Sequence, residues 1–373
     1  MAGNGIMRSR LTVLTAWTAF FLAAAGASAA TLMTGVNLPN ATRAGPADRA
    51  AVIGQLKAAG VQHVRFPFGI DPGDIGYAEQ LYAQGIKIDM IVSPQYPPNA
   101  PTRPPYPDDP HMYTGHPLSD ADPTLSRTYY QTLMERLDAS GVVLGSFELG
   151  NEINWSAFNP DFPLPGEGKI FDMNDLSHDP EGQQIARSFI RYLQILAALK
   201  DARDHSKLNR NTPIISAGLS PTGRARVTPE KKEDGVSIEA TIQFLRANGL
   251  DNLVDGYGVH FYPWQRTTQE TDMNLRNNVV TVCQPAGSGA GKPCWITEWG
   301  VVNPNTSCPP DESPRLPLVE HMMDVFRGLA REGRVEAEFY YSWNTDPWTH
   351  REDPITVYRC GGVTQAGRVA LTP

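Results

Sequence analysis

Cysteine is scarce in this chain of 373 residues: there are four, and none stands in a C-x-x-C pair or beside a histidine pair, so little supports a zinc site. Long apolar runs are missing as well. Beyond residue 30 no stretch approaches 18 continuous apolar residues, and a soluble mature protein without a membrane span is expected. Clustered positive charge is also lacking. A net charge of −8 and a pI near 5.5 argue against nucleic acid or an anionic membrane as partner and favour a neutral substrate. No G-x-G-x-x-G follows the first strand-like run, which weakens a dinucleotide fold. No His-x-His closes that strand, which weakens a metal-dependent barrel hydrolase, and there is no internal repeat beyond a rhythm of short apolar and longer amphipathic stretches.

What the sequence does carry begins with an export signal. Arg8 and Arg10 give a positive start, residues 11–26 an apolar run, and Ala27-Ser28-Ala29 an A-x-A cleavage site, the three parts of a secretory signal peptide. The apolar run is short for a bilayer span. Removal of residues 1–29 and a secreted or periplasmic mature domain over 30–373 are therefore expected.

Apolar runs at 33–37, 63–67, 86–93, 142–152, 213–216, 256–262, 293–298 and 337–343 predict eight strands. Between them lie helix signals: Pro46 opens a helix that Gly60 closes, another spans 74–84, and further helices are predicted over 124–140, 181–205, 237–248, 271–283 and 318–331, with a short one over 364–371. Eight strands alternating with helices over one large domain predict a (β/α)8 barrel rather than an open sheet. Two connections are unusually long, 94–123 and 154–180. The first is rich in proline and carries Tyr96, Tyr106, His111, Tyr113 and His116; a linker would explain the prolines but not so many rings, so a stiff wall above a cleft is expected.

Two strands end in glutamate. One is Ser146-Phe147-Glu148-Leu149-Gly150-Asn151-Glu152, the other Trp295-Ile296-Thr297-Glu298-Trp299-Gly300. In a parallel barrel the C-terminal ends of the strands surround the active site. Strands four and seven face each other there, so Glu152 and Glu298 meet across one mouth. Retaining cleavage of a glycosidic bond needs such a pair, about 5–5.5 Å apart, one an acid and one a nucleophile. Glu148, with period-two alternation, shares the face of Glu152 but lies about 13 Å deeper, and reads as a buried polar group.

These motifs, taken in order, resemble the clan of retaining glycoside hydrolases with (β/α)8 barrels that includes the family 5 cellulases and mannanases and the family 39 enzymes. The likeness rests on Val64-Arg65-Phe66-Pro67 ending strand two, Asn151-Glu152 ending strand four, His260 and Tyr262 on strand six, Glu298 ending strand seven, and Trp343 in Tyr341-Ser342-Trp343-Asn344 ending strand eight. It implies Glu152 as acid/base, Glu298 as nucleophile and Arg65, Asn151, His260, Tyr262 and Trp343 as substrate-binding or supporting residues. No single family is picked out.

The chemistry asks for the same roles. Glu298 must be ionised to attack the anomeric carbon, which a guanidinium and a tyrosine hydroxyl would favour. Glu152 must hold a proton when substrate binds. Asn151 suits a 2-hydroxyl and Trp343 a flat sugar face. Each supporting residue also has a plain reading: Arg65 as an ion-pair partner, His260 as a satisfied core histidine, Trp343 as barrel filling. Trp155, Trp264, Trp299 and Trp348 are further candidates for the upper face. The expected partner is a β-linked oligo- or polysaccharide, the chain is expected to act as a monomer, and neither metal nor organic cofactor is implied. A barrel that only binds glycans and a transglycosylase are the competing functions.

Four cysteines in an exported chain imply two disulfides, with three connectivities possible. On the barrel reading Cys283 and Cys294 lie at the bottom and Cys308 and Cys360 in loops at the top, so each pair is expected to bond within its own level. N-x-S/T triplets occur at Asn40, Asn154 and Asn305. A glycan on Asn154 would obstruct the cleft, which fits an exported bacterial protein better than a glycosylated one.

Overall fold

The computed structural model describes residues 1, 31–106, 112–222, 230–263, 267–305, 307–344 and 353–373; the signal segment lies outside them. Eight parallel strands form the sheet: β1 (Met33–Asn37), β2 (His63–Pro67), β3 (Lys87–Val92), β4 (Ser146–Leu149), β5 (Ile214–Ile215), β6 (Tyr257–Phe261), β7 (Cys294–Trp299) and β8 (Val335–Tyr340). Their order is β5-β4-β3-β2-β1-β8-β7-β6. Parallel bridges Ile215–Gly256 and Leu219–Val259 join the two ends, so the sheet closes into the expected (β/α)8 barrel.

The helices begin and end where the sequence chemistry says they should. The helix over Pro123–Ser140 has Asp122 as N-cap, its carboxylate accepting from the N–H groups of Thr124 and Leu125, Pro123 in its first turn, and Gly141 at φ 74° just past its end. The helix over Leu316–Arg331 carries Val319, Met322, Met323, Phe326 and Leu329 on one buried face. That stripe packs on the barrel, with Phe326 edge-on to Trp299 at 5.1 Å, and truncating any of its larger members to alanine should cost about 2–5 kcal/mol.

Inside the barrel the filling changes from apolar to polar. Ile215, Trp295, Ala337 and Phe339 form a small closed cluster, with Trp295 stacked on Phe339. A Cβ on Gly35 would stand 2.5 Å from the Phe339 ring, so only glycine leaves room for it. Asp89, taking a hydrogen bond of 2.8 Å from Ser146 and facing His63 at 3.1 Å, begins the polar part. Glu148 and Arg65 continue it.

Three boundaries differ from expectation. The helix foreseen over 271–283 is an α-helix only over Thr268–Asn274, continuing as a π-turn over Leu275–Val279 and a 3-10 turn over Val280–Val282. The fourth strand stops at Leu149, because Gly150 turns at φ 77° and Glu152 at φ 45°. The eighth stops at Tyr340, which takes Trp343 out of the strand altogether. Both disulfides have the expected partners, Cys283 with Cys294 and Cys308 with Cys360. Asn154 is fully buried, its amide donating to the carbonyls of Ser220 and Val236; no glycan fits there in the folded chain.

Candidate active site

Arg65, the middle residue of β2 and 1% exposed, is the floor of the site. Its guanidinium grips Glu148 with two hydrogen bonds of 2.7 and 2.8 Å. It also donates to Asn37 at 2.7 Å, Asn151 at 3.0 Å and Glu298 at 2.8 Å. The four acceptors are side chains from three strands, Glu148 and Asn151 both belonging to β4 and the turn after it, so one planar fork ties β1, β4 and β7 together. Asn37 extends the tie by donating to the main-chain carbonyls of Thr297 and Phe339.

Glu298 reaches this fork because β7 is irregular. Val259 pairs with Ile296 but His260 with Glu298, a register shift of one residue, the mark of a bulge that re-aims a side chain. Thr297 faces the interior, where a Cβ on Gly218 would meet its hydroxyl. Trp299, on the other side, packs against Phe326. Between them Glu298 enters the mouth with Oε1 on Arg65 and Oε2 taking 2.8 Å from the Tyr262 hydroxyl. Burial works to raise its pKa, but the charges of His260 and Arg65 and the hydrogen bonds from Arg65 and Tyr262 prevail and hold the carboxyl below the usual range.

Glu152 arrives by a turn. Its left-handed backbone is uncommon for a residue with a side chain and stores strain, and it is held by its N–H on the Gly218 carbonyl at 2.8 Å. Only 4% of Glu152 is exposed. Its Oε1 lies 3.0 Å from His260 Nδ1, and the same nitrogen lies 3.5 Å from Glu298 Oε2. These two distances together bound the gap between the carboxylate oxygens at 6.5 Å. His260 is fully buried, and its Nε2 has no hydrogen-bond partner among the described residues. Nδ1, facing the glutamates, is therefore the ring nitrogen engaged in hydrogen bonding. Gly218 makes room for the ring: a Cβ would stand 2.2 Å from Nε2.

A cavity of about 700 Å³ opens above, lined by Arg65, Asn151, Glu152, Glu298 and Tyr341 together with Tyr96, Tyr113 and His116. The 94–123 segment thus walls the cleft, though Tyr106 is not among the lining residues and His111 lies outside the described residues. Asn151 gives its Oδ1 to Arg65, so its NH₂ is what it can offer a sugar hydroxyl. Among the described residues no group of three or more His, Cys, Asp or Glu side chains converges as a metal site.

Trp343 does not face the cavity. The chain leaves β8 after Tyr340, and the Trp343 N–H bonds the Asn37 carbonyl. Its ring is fully buried, stacked on Tyr358 at 5.0 Å with its indole N–H on Gln55. Tyr341 lines the mouth instead, 6.4 Å from Tyr262 between ring centres. Trp299 is buried against the Leu316–Arg331 helix, and Trp155 bonds Glu233 outside the cavity lining; Trp264 and Trp348 lie outside the described residues. Glu148 is a buried polar group as expected, but it sits directly beneath the site as the partner of Arg65.

No protein-family model matches the chain, and comparison with curated proteins finds no match. Solved structures do match in fold. A structure of fungal β-1,4-galactanases superposes with TM-score 0.54 at 17% identity, covering 91% of this chain and 98% of that one. A GH5_18 protein from Bifidobacterium longum subsp. longum in complex with Manβ1-4GlcNAc gives 0.55 at 12%, covering 91% and 77%. An endocellulase from Pyrococcus horikoshii gives 0.53 at 13%, covering 91% and 92%. The likeness is one of fold, and it agrees with the clan to which the strand-end motifs pointed.

Proposed function

We propose that this protein is a retaining glycoside hydrolase acting on a neutral, β-linked oligo- or polysaccharide, and that it works outside the cytoplasm. The observation that carries the reading is the pair of glutamates sharing His260, with nearest oxygens no more than 6.5 Å apart. That bound is compatible with the about 5–5.5 Å between carboxyl groups that retaining enzymes use, and the anomer released first distinguishes this from inverting cleavage. The galactanase, endocellulase and GH5_18 neighbours lend support through shared architecture. Two disulfides suit an oxidising compartment and support the signal-peptide reading of residues 1–29.

In the first step Glu298 attacks the anomeric carbon as the bond to the leaving oxygen breaks, and Glu152 gives that oxygen its proton. In the second, Glu152 takes a proton from water, the water oxygen bonds the anomeric carbon, and Glu298 leaves as carboxylate. Two inversions give net retention. Tyr341, at the mouth beside Tyr262, supplies the apolar face for the reacting ring in place of Trp343. The test is a screen of neutral polysaccharides and aryl β-glycosides, with the first-formed product followed by proton NMR. A β-anomer appearing first supports double displacement; an α-anomer appearing first refutes it.

A further inference from the structure

We propose that the aromatic part of the cavity wall is a second sugar subsite, and that Arg103 is the positioning residue that builds it. The proposal rests on the glycoside reading above and adds to it the size of substrate the site is made for. Tyr96 and His116 lie ring on ring, 4.6 Å between centres and 33° between planes. Both line the cavity, as do Tyr113 and Phe158. Tyr113 is 52% exposed and Phe158 38%, so both rings are accessible to a ligand in the cavity. Flat rings gathered on the wall of the cavity that also holds the glutamates suit the apolar face of a second pyranose.

The wall is built in advance. Arg103 directs its guanidinium at main-chain carbonyls: Nε and Nη2 to Tyr113 at 3.0 and 2.7 Å, Nη1 to Ser156 at 2.6 Å and Nη2 to Ala157 at 3.1 Å. The Tyr113 N–H adds a bond to the Ala157 carbonyl. The connection after β3 is thereby stapled to the one after β4, next to Phe158 and only a few residues from Glu152. Gly115 completes the arrangement: a Cβ there would fall 1.9 Å from the Tyr113 ring, so the ring lies over a residue that must be glycine. With the Arg103 donors engaged by carbonyls, the wall offers ring faces rather than a free cation, which selects a neutral sugar.

The test compares two aryl β-glycosides with the same leaving group, one carrying a single neutral sugar and one a β-linked disaccharide of it. For the wild type the disaccharide is expected to be the better substrate by about tenfold or more in kcat/KM. His116→Ala and Phe158→Ala should each remove most of that ratio. Arg103→Lys, which keeps the charge but not the fork, and Gly115→Ala, which displaces Tyr113, should lower it too. A general loss of structure would scale both substrates alike and leave the ratio in place. An unchanged ratio in all four variants, or a wild type indifferent to the second sugar, overturns the subsite. If neither glycoside is turned over, calorimetric titration with the matching monosaccharide and disaccharide decides. Tighter disaccharide binding that His116→Ala weakens about tenfold upholds the subsite while sinking the hydrolase reading; equal binding of the two sugars overturns it.

Discussion

Replacing Arg65 with lysine keeps a positive charge at the floor of the cleft and withdraws the fork. The guanidinium donates five hydrogen bonds to four side chains, and an ammonium has three donors that cannot lie in one plane. Among the described residues no other cation bonds Glu298 Oε1, so this is the bond whose loss matters for the proposed chemistry. A charge-assisted hydrogen bond contributes about 1.5–3 kcal/mol, and one pKa unit corresponds to about 1.36 kcal/mol. Losing the bond should therefore let the Glu298 carboxyl rise by about one to two units. In the proposed mechanism its ionised form is the nucleophile, so the acidic limb of the kcat/KM profile should move to higher pH by that amount. Above the new limb activity should recover in part, with a residual loss from misplaced Asn151 and Glu148.

The assay is kcat/KM against pH on an aryl glycoside with a good leaving group, where the glycosylation step depends on Glu298 and little on protonation of the leaving oxygen. Tyr262→Phe gives a graded control. It removes one neutral donor from Oε2, about 0.5–1.5 kcal/mol, so its limb should move in the same direction by less. An acidic limb that stays in place or moves to lower pH in Arg65→Lys would refute the assignment of Arg65 as one of the groups that keep Glu298 ionised. So would a larger shift in Tyr262→Phe than in Arg65→Lys.

Glu152→Gln should lower kcat/KM by about 10²–10⁴-fold on glycosides with poor leaving groups and far less on dinitrophenyl glycosides; equal losses on both would contradict the acid role. Glu338 is fully buried, with Oε1 unpartnered among the described residues and the Trp299 indole on Oε2. Burial holds its carboxyl well above the usual range, outweighing that hydrogen bond and the charge of Arg327. The folded chain thus keeps a proton that the unfolded chain gives up above about pH 4.3, so this stability is full below that pH and is lost as pH rises through the folded value. Glu338→Gln should match the wild-type Tm near pH 4 and exceed it increasingly toward neutral pH, by about 1–3 kcal/mol; a Gln variant that is the less stable at neutral pH would show the acid to be needed. Cys308 and Cys360 are exposed, whereas Cys283 and Cys294 are buried. Mild reductant should free the first pair alone in the folded protein, and opening that 52-residue loop should cost about 4 kcal/mol on the chain-entropy estimate; thiol labelling with mass mapping reads which pair opens.

The sequence made the barrel legible because a parallel strand buried on both faces is a run of apolar residues with turn signals at each end, and eight such runs alternate with capped helices. Arg65, Asn151, Glu152, His260, Tyr262 and Glu298 could be singled out because each is polar where an apolar run ends. Trp343 misled for a related reason. In Phe339-Tyr340-Tyr341-Ser342-Trp343 aromatic residues continue past the last ladder bond, and nothing in their chemistry marks Tyr340 as the end. The ring that leaves the strand packs outward on Tyr358, and the smaller Tyr341 is left at the mouth. The partner of Glu148 and the part played by Gly218 were hidden differently. Glu148 looks like a defect in a strand until Arg65, 83 residues away, closes a fork on it. Gly218 looks like any turn residue until His260 fills the space its missing Cβ leaves. Local pattern reveals what a strand end presents, whereas what holds it there comes from pairs that only closure of the barrel brings together. The chemistry of Glu298 therefore depends on residues with no catalytic signature of their own, and the Arg65→Lys profile measures that dependence directly.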